Sequence, residues 1–308
     1  MNTKIWKADA MLLLTALVWG AAFVAQRVGM NSVGPFTFNG VRFLLGALAL
    51  LPLARHQRNV ARAEGAGVDL GMSRYVRACC IAGVFLFAGA SLQQVGLVWT
   101  TAGKAGFITG LYVVFVPLFG LFAHHRPDAW TWFGVVLAAV GLFLLSVTEA
   151  FTIAFGDLLE LIGAVFWAGH VLLVGWYAAR LEPISFSIGQ FIVCGILSLA
   201  TAFWRESVTL TGLSGGVVPI AYGGLISVGV GYTLQVIAQK DALPAHAAII
   251  LSLEAVFAAW TGRVLLGEIM SWRATAGCAL MLAGCLLAQF GPLLKRSPAA
   301  DPETTRSP

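Results

Sequence analysis

The chain has 308 residues, with 19 lysines and arginines against 14 aspartates and glutamates, and a formal net charge of +5. Hydrophobic residues make up 59% and charged residues only 11%, whereas charged residues make up about 25% of an ordinary soluble domain. The composition excludes a water-soluble globular protein, because a soluble fold lacks the interior to hide so much apolar side chain. It excludes intrinsic disorder for the same reason.

Ten apolar stretches are long enough to cross a membrane as helices of about 20 residues. Two of them keep a charge well inside the apolar run, Arg42 in the second and Glu254 in the ninth. We therefore predict an all-α integral membrane protein with ten transmembrane helices and short loops. The predicted spans are 8–27, 35–54, 77–98, 102–123, 129–148, 157–178, 184–204, 217–239, 244–265 and 273–294.

The positive charges indicate how the chain is oriented, because lysine and arginine concentrate on the cytoplasmic side. With both termini in the cytoplasm, most of the 19 basic residues fall on that side, including the cluster at 55–77. We read this cluster as an orientation signal and expect no nucleic-acid partner. The segment 295–308 is rich in Pro, Ser and Thr, which predicts a disordered cytoplasmic tail.

The two halves of the sequence repeat each other. The matches that carry this inference lie at nearly constant separation: Asp9 with Asp157, Trp19 with Trp167, Pro35 with Pro183, Arg42 with Gln190, Gln93 with Gln235, Tyr112 with Glu254, Gly134 with Gly277 and Gly141 with Gly284. The pattern predicts one repeat over 8–148 and a second over 155–294. Each holds five spans, an odd number, so the halves are inverted relative to each other, which is typical of alternating-access transporters. Because the first span belongs to the repeat, we read it as a membrane helix and not as a signal peptide.

Several short segments carry a family resemblance over about residues 8–292. They are Leu17-Val-Trp-Gly-Ala-Ala-Phe23, Gly156-Asp-Leu-Leu, Phe166-Trp-Ala168, Leu251-Ser-Leu-Glu-Ala255, Leu266-Gly-Glu268 and the stretch from Gly277 to Gly284. In order and spacing the chain resembles the EamA-like type of the drug/metabolite transporter superfamily. The resemblance implies a central cavity lined by helices 1–4 and 6–9, with no cofactor. It also implies export or exchange of small organic metabolites, with the fifth and tenth helices outside the core as a surface for a homodimer.

Polar side chains inside the spans are the candidate site, because hydrocarbon cannot solvate them and they must face protein or water. Glu254 either binds a cationic group, exchanges a proton or packs helices. Arg42 either holds an anionic group, counters Glu254 or snorkels to the outer interface. Glu160 and Asp157 form a polar mouth or complement a helix dipole. The predicted substrate-binding residues are Glu254, Arg42, Gln190, Gln93, Gln235, Trp19, Trp167 and Tyr112, and the proton-coupling candidates are Glu254 and His170.

One acid, one base, amides and aromatics fit an amphiphilic or zwitterionic metabolite such as an amino acid. We therefore predict a secondary transporter of the cytoplasmic (inner) membrane, with no catalytic residues and no metal. The alternative is a polytopic membrane protein that does not transport: a receptor, a structural protein or an intramembrane hydrolase. The hydrolase hypothesis uses the Gly212-Leu-Ser-Gly215 motif with His246. The eighth span separates Ser214 from His246, too far for proton transfer.

Overall fold

The computed structural model describes residues 3–63, 71–99, 102–122, 127–146, 155–266 and 271–294, and every regular element in these ranges is helical. The predicted tail, 295–308, lies outside the described residues. The helices are α1 (Thr3–Gly29), α2 (Pro35–Ala63), α3 (Met72–Trp99), α4 (Ala102–Gly110), α5 (Tyr112–Phe122), α6 (Ala129–Ser146), α7 (Phe155–Ala178), α8 (Pro183–Arg205), α9 (Leu210–Gly215), α10 (Val217–Ala221), a π-helical segment (Tyr222–Tyr232), α11 (Thr233–Gln239), α12 (Pro244–Leu251), α13 (Glu254–Leu266) and α14 (Trp272–Leu294).

The described helices have the lengths and surfaces of a membrane protein. Seven helical stretches are long and apolar enough to cross a membrane, and three shorter helices are also apolar. Large apolar side chains point outward from them, among them Phe122, Phe133 and Phe203. This confirms the predicted all-helical membrane class, whereas the count of ten spans and the inverted repeat stay predictions.

Prolines fix three of the helix starts. Pro35, Pro183 and Pro244 are the first residues of α2, α8 and α12, where the missing backbone N–H is not needed and the fixed φ suits a helix. These starts agree with the predicted spans to within one residue.

Two predicted spans are interrupted where the sequence predicts continuous helices. The fourth span breaks at Leu111, between α4 and α5, and the ninth breaks at Ser252 and Leu253, between α12 and α13. At each break the chain tightens, because the N–H of Leu111 bonds the carbonyl of Ile108 at 3.1 Å and that of Leu253 bonds Ile250 at 3.1 Å. Neither break lies at a proline, although Gly110 directly precedes the first one.

Helices α6 and α14 pack against each other through glycines, outside the core formed by the other long helices. A Cβ on Gly134 would lie 2.7 Å from the carbonyl oxygen of Gly284, and one on Gly141 would lie 2.6 Å from that of Gly277. Small residues let the backbones of membrane helices come this close. The remaining long helices form a core in which α2 packs on α8, α3 on α7 and α1 on α13.

Candidate functional site

A single polar cavity gathers most of the predicted site residues, and we call it the central cavity. Its lining comes from α1 to α5, α7, the π-helical segment and α11 to α13, while α6, α8 and α14 contribute none of its described lining residues. The cavity is narrow, with a volume of about 30 Å³, which is room for roughly two water molecules. A metabolite therefore needs a wider conformation. Seven of the nine predicted residues line it: Trp19, Arg42, Gln93, Tyr112, Trp167, Gln235 and Glu254.

The two helix breaks present Tyr112 and Glu254 to the central cavity. Tyr112 is the first residue of α5 and Glu254 the first residue of α13. Both are buried, at 3% and 4% exposure, and both line the cavity. A helix start inside a membrane protein carries a positive dipole end, which discontinuous helices of transporters use at their binding sites.

Arg42 is fixed in the wall of the central cavity. It is 2% exposed, so it does not snorkel to the interface. Its Nε donates to Oδ1 of Asn39 at 3.0 Å, and its guanidinium carbon lies 5.4 Å and 5.0 Å from the ring centres of Phe38 and Phe43. Within the described residues, no ion pair joins Arg42 to Glu254. The cavity thus holds one fixed positive group and one carboxyl group that do not neutralise each other.

The amides of Gln93 and Gln235 differ in their partners. Oε1 of Gln93 accepts from Nε1 of Trp167 at 3.0 Å, and its Nε2 donates to Oε1 of Gln26 at 3.2 Å. Both amide atoms of Gln235 are buried and have no hydrogen-bond partner among the described residues. Because a buried polar atom needs a partner, the Gln235 amide is available to a ligand or to water, whereas the Gln93 amide builds the wall.

Aromatic rings form one side of the central cavity around Tyr232. The ring centre of Tyr232 lies 4.5 Å from that of Trp19 and 6.1 Å from that of Trp167. Nε1 of Trp19 donates to the carbonyl of Ser227 at 3.2 Å, which fixes α1 against the π-helical segment. Aromatic faces beside a carboxyl group suit a cationic group, which interacts with the ring quadrupole.

Gln190 and His170 do not line the central cavity. Both are fully buried, and the ring Nε2 of His170 lies 2.8 Å from Oε1 of Gln190. The His170 ring lies behind the aromatic wall, 6.2 Å from Tyr232 and 6.0 Å from Trp167. The predicted contact of Gln190 with substrate therefore has no support in this conformation.

Sequence reasoning missed four polar residues that line the central cavity: Gln26, Thr109, Ser227 and Tyr232. Gln26 follows Trp19 by two helical turns and shares its face, so helical spacing could have found it. Ser227 and Tyr232 lie on the π-helical segment, where the ordinary spacing does not apply. Thr109 lies just before the break at Leu111.

The residues of the hydrolase hypothesis lie apart. Oγ of Ser214 donates to the carbonyl of Thr211 at 2.9 Å. The ring Nε2 of His246 lies 3.0 Å from Oγ1 of Thr131, on α6. Within the described residues, Ser214 and His246 do not form the hydrogen-bonded pair that a serine nucleophile needs.

A family profile supplies the remaining observation, because it matches residues 6–147 and again residues 154–290. The chain belongs to the EamA-like transporter family. This family lies within the drug/metabolite transporter superfamily, which confirms the resemblance seen in the sequence.

Three relatives illustrate the family. The chain is 31% identical to an uncharacterised transporter of Archaeoglobus fulgidus, over 91% of this chain and 85% of that protein. It is 23% identical to a probable amino-acid metabolite efflux pump of Salmonella typhimurium, over 94% and 97%. It is 26% identical to the threonine/homoserine exporter RhtA of Escherichia coli, over 87% and 86%. A solved crystal structure aligns over 94% of this chain and 99% of the solved chain, with a TM-score of 0.75 and 19% sequence identity. The two proteins therefore share their fold.

Proposed function

We propose that this protein is a secondary transporter that exports or exchanges small organic metabolites with an amino group and a carboxyl group, such as amino acids. The observation that carries the proposal is the central cavity, where Arg42 and Glu254 are both buried and form no ion pair with each other. An ionisable side chain without a counter-charge between membrane helices is expensive to bury, which makes it a candidate for a functional site. The carboxylate of a zwitterion would pair with Arg42 and its ammonium group with Glu254 and the aromatic wall. Two relatives are named for amino-acid export, which favours this class.

The experiment is transport in proteoliposomes. Purified protein is reconstituted with unlabelled amino acids inside, and the entry of a radiolabelled mixture of amino acids is followed over time. The proposal predicts counterflow that requires the protein and disappears in Glu254→Gln. A thermal-shift screen against amino acids, nucleosides, sugars and cationic drugs runs beside it, since a ligand at 100 times its Kd adds about 2.7 kcal/mol of stability. Stabilisation by nucleosides or sugars alone would contradict the proposed class.

Alternating access between two inverted halves is the proposed mechanism, and contacts between the halves support it. If Gly134 corresponds to Gly277 and Gly141 to Gly284, the contact of Gly134 with Gly284 maps onto that of Gly141 with Gly277. A two-fold axis in the membrane plane produces such paired contacts. Exchanging the conformations of the halves then opens the cavity to the other side. Crosslinks placed at equivalent positions at the two ends of the cavity should respond to substrate in opposite directions.

The cytoplasmic membrane, with both termini in the cytoplasm, is the proposed location. The support is the distribution of lysine and arginine in the sequence. Fusions of a fluorescent protein and of a periplasmic phosphatase to the C-terminus test it. Fluorescence without phosphatase activity is expected, and the reverse result would invert the orientation.

A homodimer through α6 and α14 is the proposed assembly. The two helices pack on each other within one chain, yet each also exposes a row of apolar side chains, Phe133 and Val136 on α6 and Leu282 and Leu286 on α14. Crosslinking from Val136→Cys in membranes should trap a dimer, whereas Phe203→Cys, on α8, should not. Equal crosslinking at both positions would contradict this interface.

The alternative, a membrane protein without transport, differs in measurable ways. We propose that the protein is not an enzyme, because Ser214 and His246 bond to separate partners, the carbonyl of Thr211 and the hydroxyl of Thr131. Proteoliposomes that bind amino acids but show no flux would favour a receptor. Peptide cleavage that Ser214→Ala abolishes would favour a hydrolase.

A further inference from the structure

A second buried acid lies beside the central cavity. Glu160, on α7, is 0% exposed. Its Oε2 accepts a hydrogen bond from the hydroxyl of Thr109 at 2.9 Å, and its Oε1 has no hydrogen-bond partner among the described residues. Thr109 also lines the central cavity. Glu160 is therefore neither an exposed mouth nor a simple dipole complement, since its carboxyl is inside the protein and one side chain away from the cavity.

The surroundings of Glu160 are built to fit a carboxyl group and not to neutralise it. A Cβ on Gly96, on α3, would lie 2.7 Å from Oε1 of Glu160, so a larger residue there would displace the carboxyl group. Two acids act on Glu160 from the described residues: Asp157, one turn earlier on α7, and Glu254, on α13. Both are acids and disfavour a further negative charge. A buried carboxylate with one hydroxyl partner is unstable, so Glu160 holds its proton in this conformation.

We propose that Glu160 is the proton-binding site that couples transport to a proton gradient, while Glu254 contacts the substrate. This rests on the proposed transport function. Thr109 joins the two sites, because it faces the cavity and donates to Glu160. When the cavity opens to water, the O–H bond of Glu160 breaks, the proton passes to water, and the carboxylate retains the hydrogen bond from Thr109. Return of a proton from the other side restores the neutral form.

The ligand is a proton and not a metal cation. One carboxyl group and one hydroxyl supply three oxygens at most, whereas hard cations such as Mg²⁺ and Ca²⁺ take about six or more oxygen ligands. Within the described residues no group of three His, Cys, Asp or Glu side chains could hold a metal ion.

Transport measurements separate the two roles. Proteoliposomes are tested with a radiolabelled amino-acid mixture, first for counterflow at equal pH and then for accumulation driven by a pH gradient. Glu160→Gln should keep counterflow and lose accumulation, so that inside and outside concentrations become equal, whereas Glu254→Gln should lose both. The control Asp241→Asn, at an exposed acid between α11 and α12, should keep both. Undiminished pH-driven accumulation in Glu160→Gln, or accumulation that follows a sodium gradient instead, would overturn the proposal.

An infrared measurement tests the site without any substrate. Difference spectra of the reconstituted protein between low and high pH should show the C=O band of a carboxyl group that loses its proton. Glu160→Gln should remove the component of this band that responds to substitutions of Thr109, and Glu254→Gln should leave that component in place. Thr109→Val should shift the band and Thr109→Ser should restore it, which covers the case in which Glu160→Gln does not fold. If neither the Glu160 substitution nor the Thr109 substitutions alter the band, the proposed proton site is wrong. Absence of counterflow in the unmodified protein is a different result, and it would contradict the transport proposal.

Discussion

Positions that the predicted sequence repeat pairs have different surroundings in the cavity wall. In the first half the Gln93 amide is engaged by Trp167 and Gln26, and the helix after the break begins with Tyr112. In the second half both amide atoms of Gln235 are without a partner among the described residues, and the corresponding helix begins with Glu254. At these positions the Gln93 amide is engaged in the wall, whereas Tyr112, Gln235 and Glu254 line the cavity with groups that a ligand can contact.

The opposite division holds for the second and seventh predicted spans. Arg42 faces the central cavity from α2, whereas its counterpart Gln190, on α8, pairs with His170 behind the aromatic wall. Positions that the sequence repeat pairs thus carry different polar groups. If the predicted inverted repeat holds, its two halves can exchange conformations while the lining binds one molecule in one orientation.

We expect the largest loss of amino-acid binding when Glu254 is substituted. Glu254→Gln should weaken amino-acid binding by about 100-fold, because a hydrogen bond to a charged group contributes about 1.5–3 kcal/mol. Tyr112→Phe, at the corresponding position, should weaken it by only about fivefold, as expected for a neutral hydrogen bond. Both are read as Kd from ligand-dependent thermal unfolding. Equal losses in the two variants would mean that the halves contribute alike.

The glycine contacts of α6 and α14 test the part of the molecule where the halves agree. Gly141→Ala and Gly284→Ala each place a Cβ against a backbone oxygen, that of Gly277 at 2.6 Å and that of Gly134 at 2.7 Å. Each should lower the free energy of unfolding by about 1–3 kcal/mol, as overpacked cores do, and by similar amounts. The midpoint of thermal unfolding in detergent measures this. Gly71→Ala, where a Cβ meets open space, should leave the midpoint unchanged, and a loss at one site of the pair alone would argue against the two-fold relation.

Substitution of Gln235 should mainly weaken ligand binding, whereas substitution of Gln93 should mainly lower stability. Gln235→Leu removes buried polar atoms that have no described partner, so it should leave stability unchanged while weakening ligand binding by about tenfold. Gln93→Leu leaves Nε1 of Trp167 and Oε1 of Gln26 without partners, so it should lower stability by about 1–3 kcal/mol. Thermal unfolding with and without an amino acid separates the two effects. Destabilisation by Gln235→Leu would show that its amide is structural as well.

Much of the cavity could be predicted from the sequence because hydrocarbon does not tolerate isolated polar groups. Arg42 and Glu254 interrupt apolar runs, so they had to face the interior, and both line the cavity. The same argument could not tell which buried polar residues line the cavity, because Gln190 satisfies it equally well by pairing with His170 behind the wall. Burial follows from composition, whereas the choice between a cavity and a packed interior depends on neighbouring helices.

The irregular backbone could not be predicted. The breaks at Leu111 and at Ser252 have no proline, and the π-helical segment that presents Ser227 and Tyr232 changes the helical spacing. These features arise where helices meet across the molecule. Trp19 donates to the carbonyl of Ser227 on this segment, a contact between distant parts of the chain that no local pattern encodes.

The first turns of α2 and α8 are capped in different ways. Both begin with proline. The carboxylate of Glu182 caps α8 locally and accepts from the N–H groups of Ile184 and Ser185 at 2.8 Å and 2.6 Å. Gly34 precedes α2 instead, and a Cβ there would overlap the carboxylate of Glu206, which comes from the end of α8. One helix is therefore capped by its own neighbour and the other by the opposite half.

Removing these two caps should have the smallest effects on stability. It should also distinguish a cap from the neighbouring residue, as at α8, from a cap supplied by a distant residue, as at α2. Glu206 accepts from the N–H groups of Phe36 and Thr37 at 2.8 Å each and from the Thr37 hydroxyl at 2.7 Å. Glu206→Ala should cost about 1 kcal/mol, as lost helix caps do, and should speed amide hydrogen exchange at the start of α2. Glu182→Ala should cost a similar amount but speed exchange at the start of α8 alone. If Glu206→Ala left exchange in α2 unchanged, the carboxylate would not hold the halves together at this end, and the contact between α2 and α8 would rest on apolar packing.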